Sequence, residues 1–289
     1  MKTIATINFK GGVGKTTLTW ALGHIASSAN QCLLFDLDAQ MSLTQSIALN
    51  EDGNPFKNFS DWYERAIQRR KTIFDALDEY AKPAQFNFGI NYEFIYQITE
   101  RYHFIPSAQE LYWTELELWD REKIKHFIQR LLEKIQNSRN VPTYDYILFD
   151  CPPSFSLLSY SVLSCCDLVL IPINPDFFAA KGLDLLLSSL KMRIEPFPIP
   201  RIGVVMNRAK RPGGSSTRRY SNETQRYLED AADVLNTISQ RQQLKTKLFD
   251  TTIPDRVGIK RAIQEGMPVD LQNHFTNLWK EVTEFIHEH

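Results

Sequence analysis

The sequence predicts an α/β protein built on a doubly wound, mostly parallel sheet with helices on both faces, and three observations carry that reading. Short, continuous apolar runs of strand length recur along the chain, as expected for strands buried on both sides. Stretches with helical spacing separate them, and a glycine-rich turn joins the first run to the first helix.

The elements follow in order. Residues 3–7 form the first strand, and 16–29 a helix with Leu18, Ala21, Leu22 and Ile25 on one side. Residues 32–36 are a short apolar run, followed by others at 102–105, 146–150, 168–173 and 202–206. Between them lie helical stretches at 123–135, where Ile124, Phe127, Ile128, Leu131, Leu132 and Ile135 recur, and at 183–192. Residues from 50 to about 100 break the rhythm: they are polar and aromatic-rich, with helices expected at 61–70 and 72–80. Too poor in apolar residues for a core of its own, this stretch reads as an insertion in a single domain spanning 1–289. Residues 208–220 form a basic, Gly/Ser-rich loop.

Composition narrows the function classes. With 289 residues, 43% hydrophobic and 23% charged, the chain is neither disordered nor fibrous. No apolar run approaches the ~18–20 residues of a membrane span, and the opening residues lack the apolar core of a secretory leader. Cys32, Cys151, Cys165 and Cys166 show no CxxC spacing, so reduced thiols of a cytoplasmic protein are expected. The net charge of −1 cannot hold the chain on DNA or an anionic bilayer, so any such contact must be a local patch.

The turn after the first strand carries the chemistry. Lys10, Gly11, Gly12, Val13, Gly14, Lys15, Thr16 and Thr17 lie between a strand and a helix, the context in which glycines let backbone N–H groups converge on a phosphate. Lys15 is placed to reach the β- and γ-phosphates and the Thr16 hydroxyl to ligate Mg²⁺. Phe9 holds the place of the first glycine of the standard loop, which makes Lys10 the informative residue.

This box resembles the deviant Walker A loop of the ParA/MinD family of positioning ATPases, and most of all that of ParA-type partition ATPases. Residues 36–44 are similar to the family's first switch, with Ala39 where proline is usual; residues 104–111, 146–187, 204–208 and 253–269 resemble further family segments in order. The resemblance implies ATP and Mg²⁺ as cofactors, an ATP-dependent sandwich homodimer, and slow hydrolysis stimulated by a ParB-like or adaptor protein. It also implies non-specific binding to nucleoid DNA in the cytoplasm, in the service of positioning a plasmid, a chromosome or a protein assembly.

Residue roles follow. Asp150 closes an apolar strand, where a carboxylate can hold Mg²⁺ through water; a strand-end turn residue is the plainer alternative. Asp36 and Asp38 are two apart on an extended strand end and share a face. The resemblance assigns Asp36 to the magnesium shell, Asp38 to the attacking water, and Lys10 to the partner's phosphates in the manner of an arginine finger. Asn207 ends a strand and suits adenine, or is a plain turn asparagine; Pro254 and Asp255 resemble the loop lining base and ribose.

Residues 201–261 carry thirteen Lys/Arg against six acids, a surplus of seven in a chain of net −1. That asymmetry is the footprint of a phosphate-backbone contact, with Arg218, Arg219, Lys245, Lys247, Lys260 and Arg261 favoured over Arg69, Arg70 and Lys71. The alternative is a solvated basic surface. Two further readings are weighed. A MinD-like membrane anchor would use the stripe Leu271, Phe275, Leu278, Trp279, Val282, Phe285 and Ile286, but its acidic polar face favours core packing and no stable membrane association. An iron-protein reductase would need two suitably placed cysteines, whereas Cys151 directly follows the Walker B aspartate.

Overall fold

A computed structural model describes residues 1–48, 60, 63–64, 66, 68–69, 71–81, 94–113, 121–194, 198–210, 212, 219–255 and 267–288. Eight strands form one sheet in the order β3-β4-β2-β5-β1-β6-β7-β8. They are β1 (Lys2–Thr6), β2 (Cys32–Asp36), β3 (Tyr96–Thr99), β4 (Tyr102–Ile105), β5 (Tyr146–Asp150), β6 (Leu168–Ile173), β7 (Arg201–Met206) and β8 (Thr246–Leu248). All neighbours pair in parallel except β3, which runs antiparallel to β4. Each of the six strands expected from apolar runs is present within one residue of its expected ends.

Helices cover both faces. Among the described residues they are α1 (Lys15–Ala26), α2 (Ser42–Ala48), α3 (Ile73–Ala81), α4 (Arg121–Ile124), α5 (Phe127–Asn137), α6 (Leu157–Leu163), α7 (Ala179–Ile194), α8 (Asn222–Gln242) and α9 (Val269–His287). Strand residues alternate between two cores, one packed with α3 to α8, the other with α1, α2 and α9. Side-chain caps start three of the described helices: Ser156 Oγ accepts from the Ser159 N–H at 3.1 Å, Ser221 Oγ from the Thr224 N–H at 3.2 Å, and Thr72 Oγ1 from the Asp75 N–H at 3.4 Å. At Gly203 the sheet admits an aromatic ring, since a Cβ there would lie 2.5 Å from Phe249.

The stripe of α9 is core. Leu271, Phe275, Leu278, Trp279, Val282, Phe285 and Ile286 are all buried, in the cluster that also holds Leu18, Leu22 and Ile25 of α1. No helix of the described residues is long and apolar enough to cross a membrane. In the insertion, the helix expected at 72–80 is α3; half of 61–70 lies outside the described residues, and 63, 64, 66 and 68 among the rest are helical. Beyond it β3 completes an edge that the apolar pattern did not announce, because its residues alternate between half-buried and exposed.

Candidate active site

The phosphate loop hangs between the carboxyl end of β1 and the amino end of α1, beside the strand ends where ligands of such sheets bind. Gly12 and Gly14 take left-handed conformations, with φ of 73° and 92°. Gly14 occupies the N-cap position of α1 and offers no capping side chain, so the first amides of the helix face the loop's concavity. At Gly14 a Cβ would fall 2.3 Å from Asn207 Nδ2, so glycine is required there for space as well as for backbone angle.

Asn207 braces this loop. Its Nδ2 donates to the Val13 carbonyl at 2.7 Å, and its Oδ1 accepts from the Arg208 N–H at 2.9 Å. The expected contact with a base is therefore left to one remaining amide hydrogen and one lone pair. Pro254 and Asp255 run alongside: Pro254 bridges to Ala209, whose carbonyl accepts from the Asp255 N–H at 3.1 Å. Pro254 is buried and Asp255 exposed.

Lys15, 8% exposed, points inward among carboxylates. Burial lowers its pKa, and Asp150, Asp38 and the Cys151 thiol oppose that in decreasing order. The sheet register explains the grouping. Asp36, Asp150 and Thr6 are Cα partners across β2, β5 and β1, so their side chains stand in one row on the α1 face. Both Asp150 oxygens are buried and neither accepts a close hydrogen bond among the described residues. Burial and the neighbouring Asp36 push its carboxyl well above the usual range; the Thr16 hydroxyl, which approaches it as a hydrogen-bond donor, and Lys15 pull it back more weakly, and Asp38 adds to the rise.

Asp36 is held differently. Its Oδ2 accepts from both the N–H and the hydroxyl of Thr44 at 2.7 Å, and its Oδ1 from the Asp38 N–H at 3.1 Å. Burial nevertheless pushes its carboxyl up to about 7. The residue expected in the magnesium shell thus ties the first turns of α2 to the sheet. Thr44 and Ser107, which the sequence reading passed over, complete that tie. Ser107 N–H donates to Thr44 Oγ1 at 2.9 Å and Ser107 Oγ to the Asp38 carbonyl at 2.7 Å. A threonine eight residues after a strand-end aspartate offers only a faint signal. Two buried carboxyls, one with neither oxygen in a close hydrogen bond, beside the Thr16 hydroxyl are a donor set that fits a hydrated divalent cation: hard oxygens and net negative charge.

Lys10 turns away from this row. Its ammonium pairs with Asp176 Oδ2 at 2.6 Å within the same chain, both groups being partly exposed. Asp176 was also missed; an acid just before the start of α7 was its only mark.

The basic residues are spread along the β8 edge. Lys245 precedes the strand and is exposed, Lys247 lies over the rings of Phe249 and Phe285, and Arg219 donates to the Asp250 carbonyl at 3.1 Å beyond the strand's far end. Arg219 also stacks on Tyr220 and, with Pro254 and His274, lines a cavity of about 150 Å³, so it borders the loop expected to face the base. Arg218, Lys260 and Arg261 lie outside the described residues.

Known proteins resemble this chain in sequence and fold. A family model described as an AAA domain matches residues 1–196. The chromosome-partitioning ATPase Soj of Treponema pallidum is 28% identical over 269 residues, which covers 93% of this chain and 88% of that protein. Apo McdA from Cyanothece superposes with a TM-score of 0.70 at 22% identity, covering 98% of this chain and 99% of the other. The ParA of pNOB8, solved bound to nonspecific DNA, gives 0.67 at 25% identity and covers 99% and 98%.

Proposed function

The chain belongs to the AAA domain family and is a ParA-type partition ATPase, and from that premise we propose that ATP and Mg²⁺ switch it between a monomer and a DNA-bound sandwich dimer. The observation that carries this reading is the grouping of Lys15, Thr16, Asp150 and Asp38 at the mouth of a left-handed glycine loop with an uncapped helix end.

Loop amides and Lys15 bind and orient the triphosphate. Thr16 and Asp150 would hold Mg²⁺, which would neutralise charge on the phosphates. Asp38 orients the attacking water, and Asp36 keeps that segment in place through Thr44. Lys10 leaves Asp176 to reach the partner's phosphates. Exposed pairs of this kind are worth about 0–1 kcal/mol, so the exchange is nearly free. Closing two copies doubles the basic edge and steepens affinity for any DNA sequence, and a partner protein that completes the site sets the slow turnover. The cargo is a plasmid, a chromosome or a protein assembly. Because the α9 stripe is packed in the core, DNA is favoured over a membrane as the surface used.

DNA retention with a non-hydrolysable ATP analogue and Mg²⁺ tests the cycle. Wild type is expected to bind, and Lys15→Gln to lose the analogue-dependent part. A wild type that stays monomeric and nucleotide-free under saturating analogue would contradict the reading.

A further inference from the structure

Thr6 stands next to Asp150 in the row of strand-end residues, 1% exposed, and its Oγ1 has no hydrogen-bond partner among the described residues. It is an exception. Every other buried threonine described has a bonded hydroxyl: Thr3 on the same strand donates to Asp167 at 2.8 Å, Thr19 to the Lys15 carbonyl at 3.1 Å, and Thr44 to Asp36 at 2.7 Å. Thr72 donates to Asp75 at 2.7 Å, Thr224 accepts from Ser221 at 3.1 Å, Thr251 donates to Glu281, and Thr252 to Tyr220 at 3.3 Å. A buried hydroxyl without a partner is costly, whereas valine would fill the same volume and suit a strand equally well. The neighbour in register, Asp150, is the one buried carboxylate among the described residues with neither oxygen in a close hydrogen bond. A donor without an acceptor thus stands beside a carboxylate that only the Thr16 hydroxyl approaches as a donor.

We propose that Thr6 is a positioning residue for Asp150: when nucleotide and a divalent cation are bound, its hydroxyl donates to the Asp150 carboxylate and holds it toward the metal's water shell. The inference rests on the nucleotide reading above and adds to it an outer-shell residue that the phosphate loop and switch segments do not include. Hydrogen-bond partners of metal-holding carboxylates orient them, and losing one weakens metal binding by about 10–100-fold.

The test compares wild type with Thr6→Val, Thr6→Ala and Thr6→Ser, by melting temperature without ligand and by calorimetric titration of a non-hydrolysable ATP analogue across Mg²⁺ concentrations. Thr6→Val is expected to melt at or above wild type without ligand and to keep its metal-free nucleotide affinity. Its Mg²⁺ midpoint should rise about tenfold or more, with Thr6→Ser near wild type and Thr6→Ala following valine. An unchanged midpoint in the valine and alanine variants overturns the proposal, as does an equal loss of metal-free nucleotide binding, which marks a packing role. If wild type itself binds no nucleotide, the nucleotide reading fails and takes this inference with it.

Discussion

Gly14 shows how much rests on single atoms at this site. Its φ of 92° strains any L side chain by about 1–2 kcal/mol, and its α-carbon faces Asn207 Nδ2 with no room for a methyl group. Gly14→Ala is expected to lower nucleotide affinity at least tenfold, read by calorimetry, and removing the amide as well in Gly14→Ala/Asn207→Ala should restore only part, because the backbone strain stays. Full recovery in the double variant would mean that crowding alone set the requirement. Asp38 separates binding from chemistry. It is one of the carboxylates acting on Lys15, and it is placed by its own N–H on Asp36 and by Ser107 on its carbonyl. Asp38→Ala should therefore retain ATP and the dimer while turnover falls about 10²–10⁴-fold, the range for a lost proton-handling group; steady-state phosphate release measures it. The loop glycines and Lys15 stood out in sequence by residue type and spacing between a strand and a helix, and Asp150 by closing an apolar run. Thr6 and Thr44 were not, since a threonine on a strand or an early helical turn is common, and only sheet register for Thr6 and the seating of α2 beside β2 for Thr44 make them neighbours of the carboxylates.

At the scale of elements, β4 carries a titratable group in the core. His103 is buried with its Nδ1 2.8 Å from the Tyr144 hydroxyl, and burial lowers its pKa from 6.5 despite the opposing Glu100 backbone. The unfolded chain takes up this proton near 6.5 and the folded one only at lower pH. The stability tied to neutral His103 is thus complete above 6.5 and is lost as pH falls through the lower folded value. Urea midpoints should drop between pH 7.5 and 5.5, and His103→Gln should shrink that drop; an identical drop in the variant would remove His103 from the account. Strands β1, β2 and β4 to β7 were readable because continuous apolar runs have few other uses. The edges β3 and β8 escaped because an edge strand is short and half polar, which resembles a loop.

Over the whole molecule, charge is sorted by place. The surplus in residues 201–261 lies partly along the β8 edge, with Lys245 and Lys247 on the strand side and Arg219 beyond its end. Joint substitution Arg219→Ala/Lys245→Ala/Lys247→Ala is expected to weaken nucleotide-dependent binding similarly on unrelated DNA sequences. The slope of log affinity against log salt should become shallower by about 2–3, close to one per lost phosphate contact. A loss confined to one sequence would identify a base reader instead. Arg219 also borders the cavity beside Pro254, so its removal alone offers a check on coupling between the DNA edge and the base loop.

The amino-acid sequence determined the doubly wound sheet, the phosphate loop and the acids that close β2 and β5, because each follows from short-range rules of periodicity, turn geometry and phosphate chemistry. Tertiary structure alone decided that Asp36 anchors Thr44, that Lys10 pairs with Asp176, that Asn207 braces the loop, and that Thr6 stands beside Asp150. Those pairings join residues from 8 to 194 positions apart, brought together by strand register and loop packing, which no local pattern encodes.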